Sequence, residues 1–214
     1  QNLSYDLSVP SGNLNAIFPN LSILDNALFR GVLSADEKVS KVAIRIPKIT
    51  YQGISFQDIN FQLDNQNPFF NTYISVGSII SSNFGFKDFN TISKDSNDGV
   101  LFRTEFTVGD NGESKFELNY SYSLKNQKPV FELKKSIASI NSNQWLINPM
   151  DKSDHLFSFD ILTNKFDLNN FEAVSKNEKV AFSMSYLNAD DFNFELKANK
   201  VLIDRLDVSS KYFQ

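Results

Sequence analysis

Between Val100 and Leu124 apolar and polar residues alternate with a period of two. Val100, Phe102, Phe106 and Val108 hold one phase, Leu101, Arg103, Glu105 and Thr107 the other, and Thr104 is the one polar residue on the apolar phase. Gly109-Asp110-Asn111-Gly112 interrupts the pattern, which resumes as Phe116, Leu118, Tyr120, Tyr122 and Leu124 against Lys115, Glu117, Asn119, Ser121 and Ser123. Alternation on both sides of a Gly- and Asn-containing break predicts two half-buried strands of a long β-hairpin. Strands of about nine residues run roughly 30 Å at ~3.4 Å per residue. Left in water, the apolar face forfeits about 1.5–3 kcal/mol per large side chain, so a row of about nine stands for roughly 15–30 kcal/mol. A second sheet, a partner chain or the acyl chains of a lipid would each cover it.

The same period recurs along the chain. It runs through Val42, Ile44 and Ile46, then Ile49 and Tyr51 on the opposite parity, with Pro47 at the slip. Ile54 and Phe56 slip likewise against Ile59, Phe61 and Leu63, as a β-bulge or tight corner requires. Phe56-Gln57-Asp58-Ile59, Phe86-Lys87-Asp88-Phe89 and Leu168-Asn169-Asn170-Phe171 share the form apolar, polar, Asp or Asn, apolar. Their unequal spacing argues against a solenoid and for a recurring corner in a meander, with the Asp or Asn serving the turn backbone. Ser34-Ala35-Asp36-Glu37 has the spacing of a helix capping box, but alternation resumes directly after it, which favours a charged hairpin loop. Asn65-Gln66-Asn67-Pro68 reads as a turn and Lys94 to Gly99 as a polar loop. Later strands are marked by Phe131 and Leu133; Ile137, Ile140, Trp145 and Ile147; His155, Phe157, Phe159 and Ile161; Val180, Phe182, Met184 and Tyr186; and Phe192, Phe194, Leu196 and Ala198. Val201 and Ile203, then Leu206 and Val208, continue with one more slip. No amphipathic helix is evident, so the chain is expected to be a single all-β segment over residues 1–214, an antiparallel meander whose first 30 residues are the least readable.

Composition narrows the function. A net charge of −4, with 21 Lys and Arg dispersed among 25 Asp and Glu, argues against a nucleic-acid partner. There are 21 Phe and one Trp, a supply of buried area without polar atoms that is unlike the Trp- and Tyr-rich stacking surfaces of sugar binders. Cysteine is absent, which leaves the redox compartment unread. The chain opens on Gln1 without a basic-then-apolar leader and has no apolar run near 18 residues, so it is expected to be a processed or excised piece with no spanning helix of its own. His155 is the only imidazole, in phase with Phe157 and Phe159, and reads as a structural histidine at a strand end. Asp95-Ser96-Asn97-Asp98-Gly99 lacks the spacing and the closing Glu of a calcium loop. With no nucleophile elbow and no phosphate-cradling glycine loop, the chain is expected to be non-catalytic, without metal or cofactor.

Four stretches, Tyr51-Gln52-Gly53-Ile54-Ser55-Phe56-Gln57-Asp58-Ile59, Asn67-Pro68-Phe69-Phe70-Asn71-Thr72-Tyr73, Phe102-Arg103-Thr104-Glu105-Phe106 and Asn143-Gln144-Trp145-Leu146-Ile147-Asn148, resemble the TamB family of translocation-and-assembly-module proteins. This AsmA-like group is approached most nearly in its Bacteroidetes-type members, and the likeness is a diffuse texture over roughly residues 20–208. The resemblance implies a piece of a longer periplasmic protein anchored in the inner membrane by an N-terminal helix. It further implies a curled half-pipe with an apolar concave face, phospholipid as cargo and an outer-membrane barrel protein as partner.

In the lipid reading, acyl chains lie on Ile44, Ile46, Phe56, Ile59 and Phe61, on Phe102, Phe106, Val108, Phe116, Leu118, Tyr120 and Tyr122 of the central hairpin, and on Phe157, Phe159, Ile161, Val180, Phe182, Met184, Phe192, Phe194 and Leu196. A second reading gives the groove to strands of outer-membrane proteins, held by β-augmentation. A third seals the same residues inside a closed β-sandwich with a structural role. Alternation alone does not separate an open groove from a closed core.

Overall fold

A computed structural model describes residues 2–13, 21–23, 25–82, 85–97, 99–109, 113–125, 128–140, 142–160, 165–188 and 191–201. Among these residues every regular element is a strand. They are β1 (Asn2–Val9), β2 (Gly12–Asn13), β3 (Leu21–Ile23), β4 (Ala27–Ser34), β5 (Val39–Tyr51), β6 (Ile54–Asp64), β7 (Thr72–Ile80), β8 (Gly85–Ser96) and β9 (Gly99–Val108). There follow β10 (Ser114–Lys125), β11 (Lys128–Leu133), β12 (Ser136–Ile140), β13 (Asn143–Ile147), β14 (Leu156–Asp160), β15 (Lys165–Ser175), β16 (Glu178–Asn188) and β17 (Asp191–Asn199). The Cα positions of the described residues group into two units, one of those up to Lys94 with 105–109, the other of those in 95–104 and 113–201.

In the first unit β5, β6, β7 and β8 form an antiparallel meander, β4 lies on the first half of β5, β3 on its last residues, and β1 on β4. Gln52 and Gly53, both at positive φ (49° and 81°), make the two-residue hairpin between β5 and β6 that matches strand twist. Residues 35–38 form a turn and not a helix; the Glu37 amide donates to Ser34 Oγ at 3.3 Å, so the capping-box residues make the hairpin loop expected of them. The expected loop from Lys94 to Gly99 is mostly strand, since β8 runs through Ser96 and β9 starts at Gly99. Lys94, Asp95 and Ser96 continue β8 although they show no apolar phase.

Register locates the phase slips. Ile46 pairs with Ile59 and Lys48 with Gln57, Gln57 with Ser78 and Asn60 with Ser75, Val76 with Phe89 and Ser78 with Lys87. Pro47, Asp58, Gly77 and Asp88 therefore occupy one row across four strands, and the ladder pairing skips all four. Asp58 and Asp88 are left-handed (φ 54° and 52°), a conformation that Asp tolerates better than most residues.

In the second unit the long β10 pairs with β12 along its first residues and with β11 along its last. The pairs β12–β13 and β11–β14 lie side by side and both return to β15, which continues through β16 to β17. A buried polar knot ties the split. Asn148, fully buried, donates from Nδ2 to the Leu133 and Lys152 carbonyls, both at 2.8 Å, and accepts the Lys152 amide at 2.8 Å, while Ser136 Oγ accepts the Asn119 amide at 2.9 Å. Beside the knot, Ala138, Trp145, Ile147 and Ala173 make a small core on which Phe116, Leu118, Phe171 and Val180 pack. Asn170 (φ 54°) bulges β15: Leu168 faces Met184 and Phe171 faces Phe182, three steps against two.

Neither unit is a closed sandwich. Among the described residues the buried apolar side chains are Ile23, Ala27, Val76, Ala138, Trp145, Ile147 and Ala173, and no Phe is among them. A sandwich buries its inner rings between two sheets about 10 Å apart. Here rings distant in sequence meet along the sheet, between hydrogen-bonded neighbours. The result is the all-β antiparallel meander that the alternation implies, and within each unit it is a single layer, which alternation alone does not decide.

Candidate functional site: the ringed sheet face

Cross-strand register turns the apolar phase of each strand into transverse rows. In the second unit one row reads Tyr122, Phe131, Phe157, Leu168, Met184, Phe194 across six strands. At about 4.8 Å per strand it extends roughly 24 Å. Beside it run Phe166, Tyr186 and Phe192, and, beyond the bulge, Phe171, Phe182 and Leu196. Ring centroids are 5.2 Å apart for Tyr122 and Phe131, 5.6 Å for Phe131 and Phe157, 4.7 Å for Phe157 and Phe166 and 4.4 Å for Phe171 and Phe182. These are tilted and edge contacts, the arrangements aromatic quadrupoles favour. The rings are half-buried by one another, and towards β17 they open to solvent, Phe194 being 49% and Phe192 54% exposed.

The first unit has the same organisation. Leu7, Phe29, Ile44, Phe61 and Ile74 form one row, and Ile49, Phe56, Ile79 and Phe86 another. The Phe106 ring meets both Phe86 (5.5 Å) and Phe89 (6.4 Å). Residues three apart on a regular strand point to opposite faces; Phe86 and Phe89 share a face because the left-handed Asp88 stands between them.

Of the residues expected on the apolar face, Ile44, Ile46, Phe56, Ile59, Phe61, Phe106 and Val108 lie in the first unit. Phe102, Tyr120, Tyr122, Phe157, Phe182, Met184, Phe192, Phe194 and Leu196 lie in the second, where Phe102 stacks on Tyr120 at 5.1 Å. Phe116, Leu118 and Val180 pack on the Trp145 core. Phe159 is placed by register opposite Phe166, and Ile161 lies outside the described residues, as do Ile203, Leu206 and Val208. The expected lining left out Phe86, Phe89, Phe131, Phe166 and Phe171, although Phe131 was marked as a strand residue. The signal for three of them was present in the Asp and Asn corner motif, which puts an apolar residue on each side of the slip.

The polar phase carries the charges. Lys179 pairs with Glu172 (2.7 Å), Lys165 with Asp167 (3.2 Å), Lys41 with Asp64 (3.1 Å) and Arg30 with Asp6 (3.1 Å). The Gln66 amide, first, and the Lys41 ammonium, second, hold the Asp64 carboxyl below the ordinary aspartate range. An open dish of about 400 Å³ over β1, β4, β5 and β6 has these last two ion pairs in its wall. On the ringed face the hydroxyls of Thr104 and Tyr120 lie 3.1 Å apart, so the odd polar residue of the β9 phase is buried with a partner. His155 is buried just before β14, its Nδ1 3.1 Å from Asp154 Oδ1 and its carbonyl accepting the Leu133 amide. Among the described residues no group of three or more His, Asp or Glu side chains converges.

No family model, curated protein or solved structure matches the chain. What the face offers is read from its own chemistry: rows of half-exposed rings that contact hydrocarbon through dispersion and area burial, at about 25 cal/mol per Å² and without directional demand.

Proposed function

We propose that the chain is a non-catalytic segment of a periplasmic bridge from inner to outer membrane, whose apolar face carries phospholipid acyl chains and so supports outer-membrane biogenesis beside a barrel partner. The observation that carries the reading is the run of phenylalanines of which none is buried among the described residues. The four stretches that resemble the TamB family supply the cellular setting. Along such a row a methylene leaving one ring meets an equivalent ring about one strand spacing on, so an acyl chain exchanges like contacts for like and moves over a low barrier. The charged phase stays in water.

Phe106→Asp with Phe182→Asp tests the proposal. Each places a carboxylate on the apolar phase, and both sites are partly open to solvent, so the strands still form. Phospholipid co-purifying with the wild-type chain, read by native mass spectrometry, is lost in the double variant, and lipid passage in cells stops. Normal lipid passage in a folded, normally abundant double variant rejects the proposal. Strand β17, exposed at every residue, favours a second reading in which extended polypeptide is held by strand addition. Photocrosslinkers at Phe102 and Phe194 separate the two, by adducts to lipid or to protein.

A further inference from the structure

The skipped row of the first unit is a mechanical feature as well as a break in phase. On β6 and β8 the same five-residue device recurs 30 residues apart: Phe56-Gln57-Asp58-Ile59-Asn60 and Phe86-Lys87-Asp88-Phe89-Asn90. In both the Asp is left-handed, and the Asn two residues on donates from Nδ2 to its carbonyl, at 3.2 Å in the first and 2.8 Å in the second. A carbonyl that a regular strand offers to its neighbour is thus bonded within its own strand. On β5 the row position is Pro47, which has no N–H to give across the ladder. On β7 it is Gly77, and a Cβ there would lie 3.1 Å from both Cβ and Oδ2 of Asp58, so the Asp58 side chain rests on the space the glycine leaves. Four strands therefore lose their lateral pairing at this level, β6 and β7 also at the next one, Ile59 beside Val76, while pairing resumes in the same register on both sides.

We propose that the row Pro47, Asp58, Gly77, Asp88 is a hinge line. The strip of apolar face carrying Ile49, Phe56, Ile79 and Phe86 folds about it against the strip carrying Ile46, Ile59, Val76 and Phe89. Rotation about the row leaves the pairings on either side intact, and the Asp58 carboxylate over Gly77 is the stop that sets the resting angle. The Phe106 ring, in contact with Phe86 on one strip and Phe89 on the other, spans the fold on the apolar side. An apolar occupant wedged between the strips changes that angle; this last step rests on the lipid-carrying reading, whereas the hinge itself does not.

The chain has no cysteine, so Gln52→Cys and Gln62→Cys, both at exposed positions on the two sides of Asp58, accept a pair of spin labels in the 214-residue chain. Pulsed dipolar spectroscopy then reads the distance across the row. Asp58→Gly keeps the left-handed backbone and removes the stop, and is expected to shift or broaden the distance distribution beyond the width the labels contribute, with the far-UV circular dichroism of the strands unchanged. Asp88→Gly, two strands away, is expected to alter the same distribution, because the four positions act as one line. A distribution unmoved by both variants, or moved by Asp58→Gly alone, overturns the hinge. Adding hexadecyl lysophosphatidylcholine below its micelle point separates the two claims: a narrowed distribution supports both, and an unmoved one in a protein whose variants do respond upholds the hinge and counts against lipid on this face.

Discussion

Asn148 is the residue on which the split of the second unit turns. It is left-handed (φ 46°) and fully buried, and its one amide group serves three backbone partners from Leu133 and Lys152. Asn148→Ala leaves those groups without the amide and keeps a β-carbon in the left-handed region. Since an orphaned buried polar group costs about 1–3 kcal/mol, the substitution is expected to destabilise the chain by roughly 3–4 kcal/mol in denaturant unfolding; a loss under about 1 kcal/mol would show that water replaces the amide. Asp64 makes a prediction of another kind. Its carboxyl is held low first by the Gln66 amide and then by Lys41, so its folded pKa lies below its unfolded one. The stability it contributes is complete above the ordinary carboxylate range and is lost as the pH falls through the lowered value. Titration followed by NMR places Asp64 below a free aspartate, and Lys41→Met raises it only part of the way, because the Gln66 hydrogen bond remains.

At the scale of the element, alternation names strands and Asp or Asn names their corners. Strands β10, β16 and β17 were legible because each holds one phase from end to end. β6, β8 and β15 were legible only in pieces, since one left-handed residue swaps the phase in mid-strand, and their short motif was the trace of it. What no single strand records is lateral alignment: that Asp58 and Asp88 share a row with Pro47 and Gly77 is a property of register, whereas Asn170 opens a bulge in one strand against an unbroken neighbour. The bulge has its own test. Asn170 takes φ 54° and its amide donates to Ser183 Oγ at 3.1 Å, both within reach of glycine. Asn170→Gly is therefore expected to hold stability within about 0.5 kcal/mol, whereas Asn170→Val, β-branched in a left-handed conformation, costs about 1–2 kcal/mol. Equal losses from the two would mean that the side chain and not the backbone carries the bulge.

Across the whole molecule the question is how burial is shared out. The sequence displayed a large stock of phenylalanine and one apolar phase per strand, which was enough for the sheet and for most of its ringed face. It did not tell a covered face from an open one, because the same alternation serves both. The split of burial between a few sealed residues and many half-exposed rings sets an order of stability effects that a sandwich would not follow. Trp145 is 3% exposed and packed among Ala138, Ile147 and Ala173, so Trp145→Ala opens a cavity and is expected to cost about 3–5 kcal/mol. Phe194 is 49% exposed and meets Phe182 and Phe192 on one side only, so Phe194→Ala forfeits about half of its transfer free energy and leaves no cavity, roughly 1 kcal/mol. If the face is sealed by a second layer in solution, the Phe194 cost rises towards that of Trp145. If it stays open, the two remain several-fold apart in denaturant unfolding, and added phospholipid stabilises the wild type more than Phe194→Ala, because the ring removed is one the acyl chain covers.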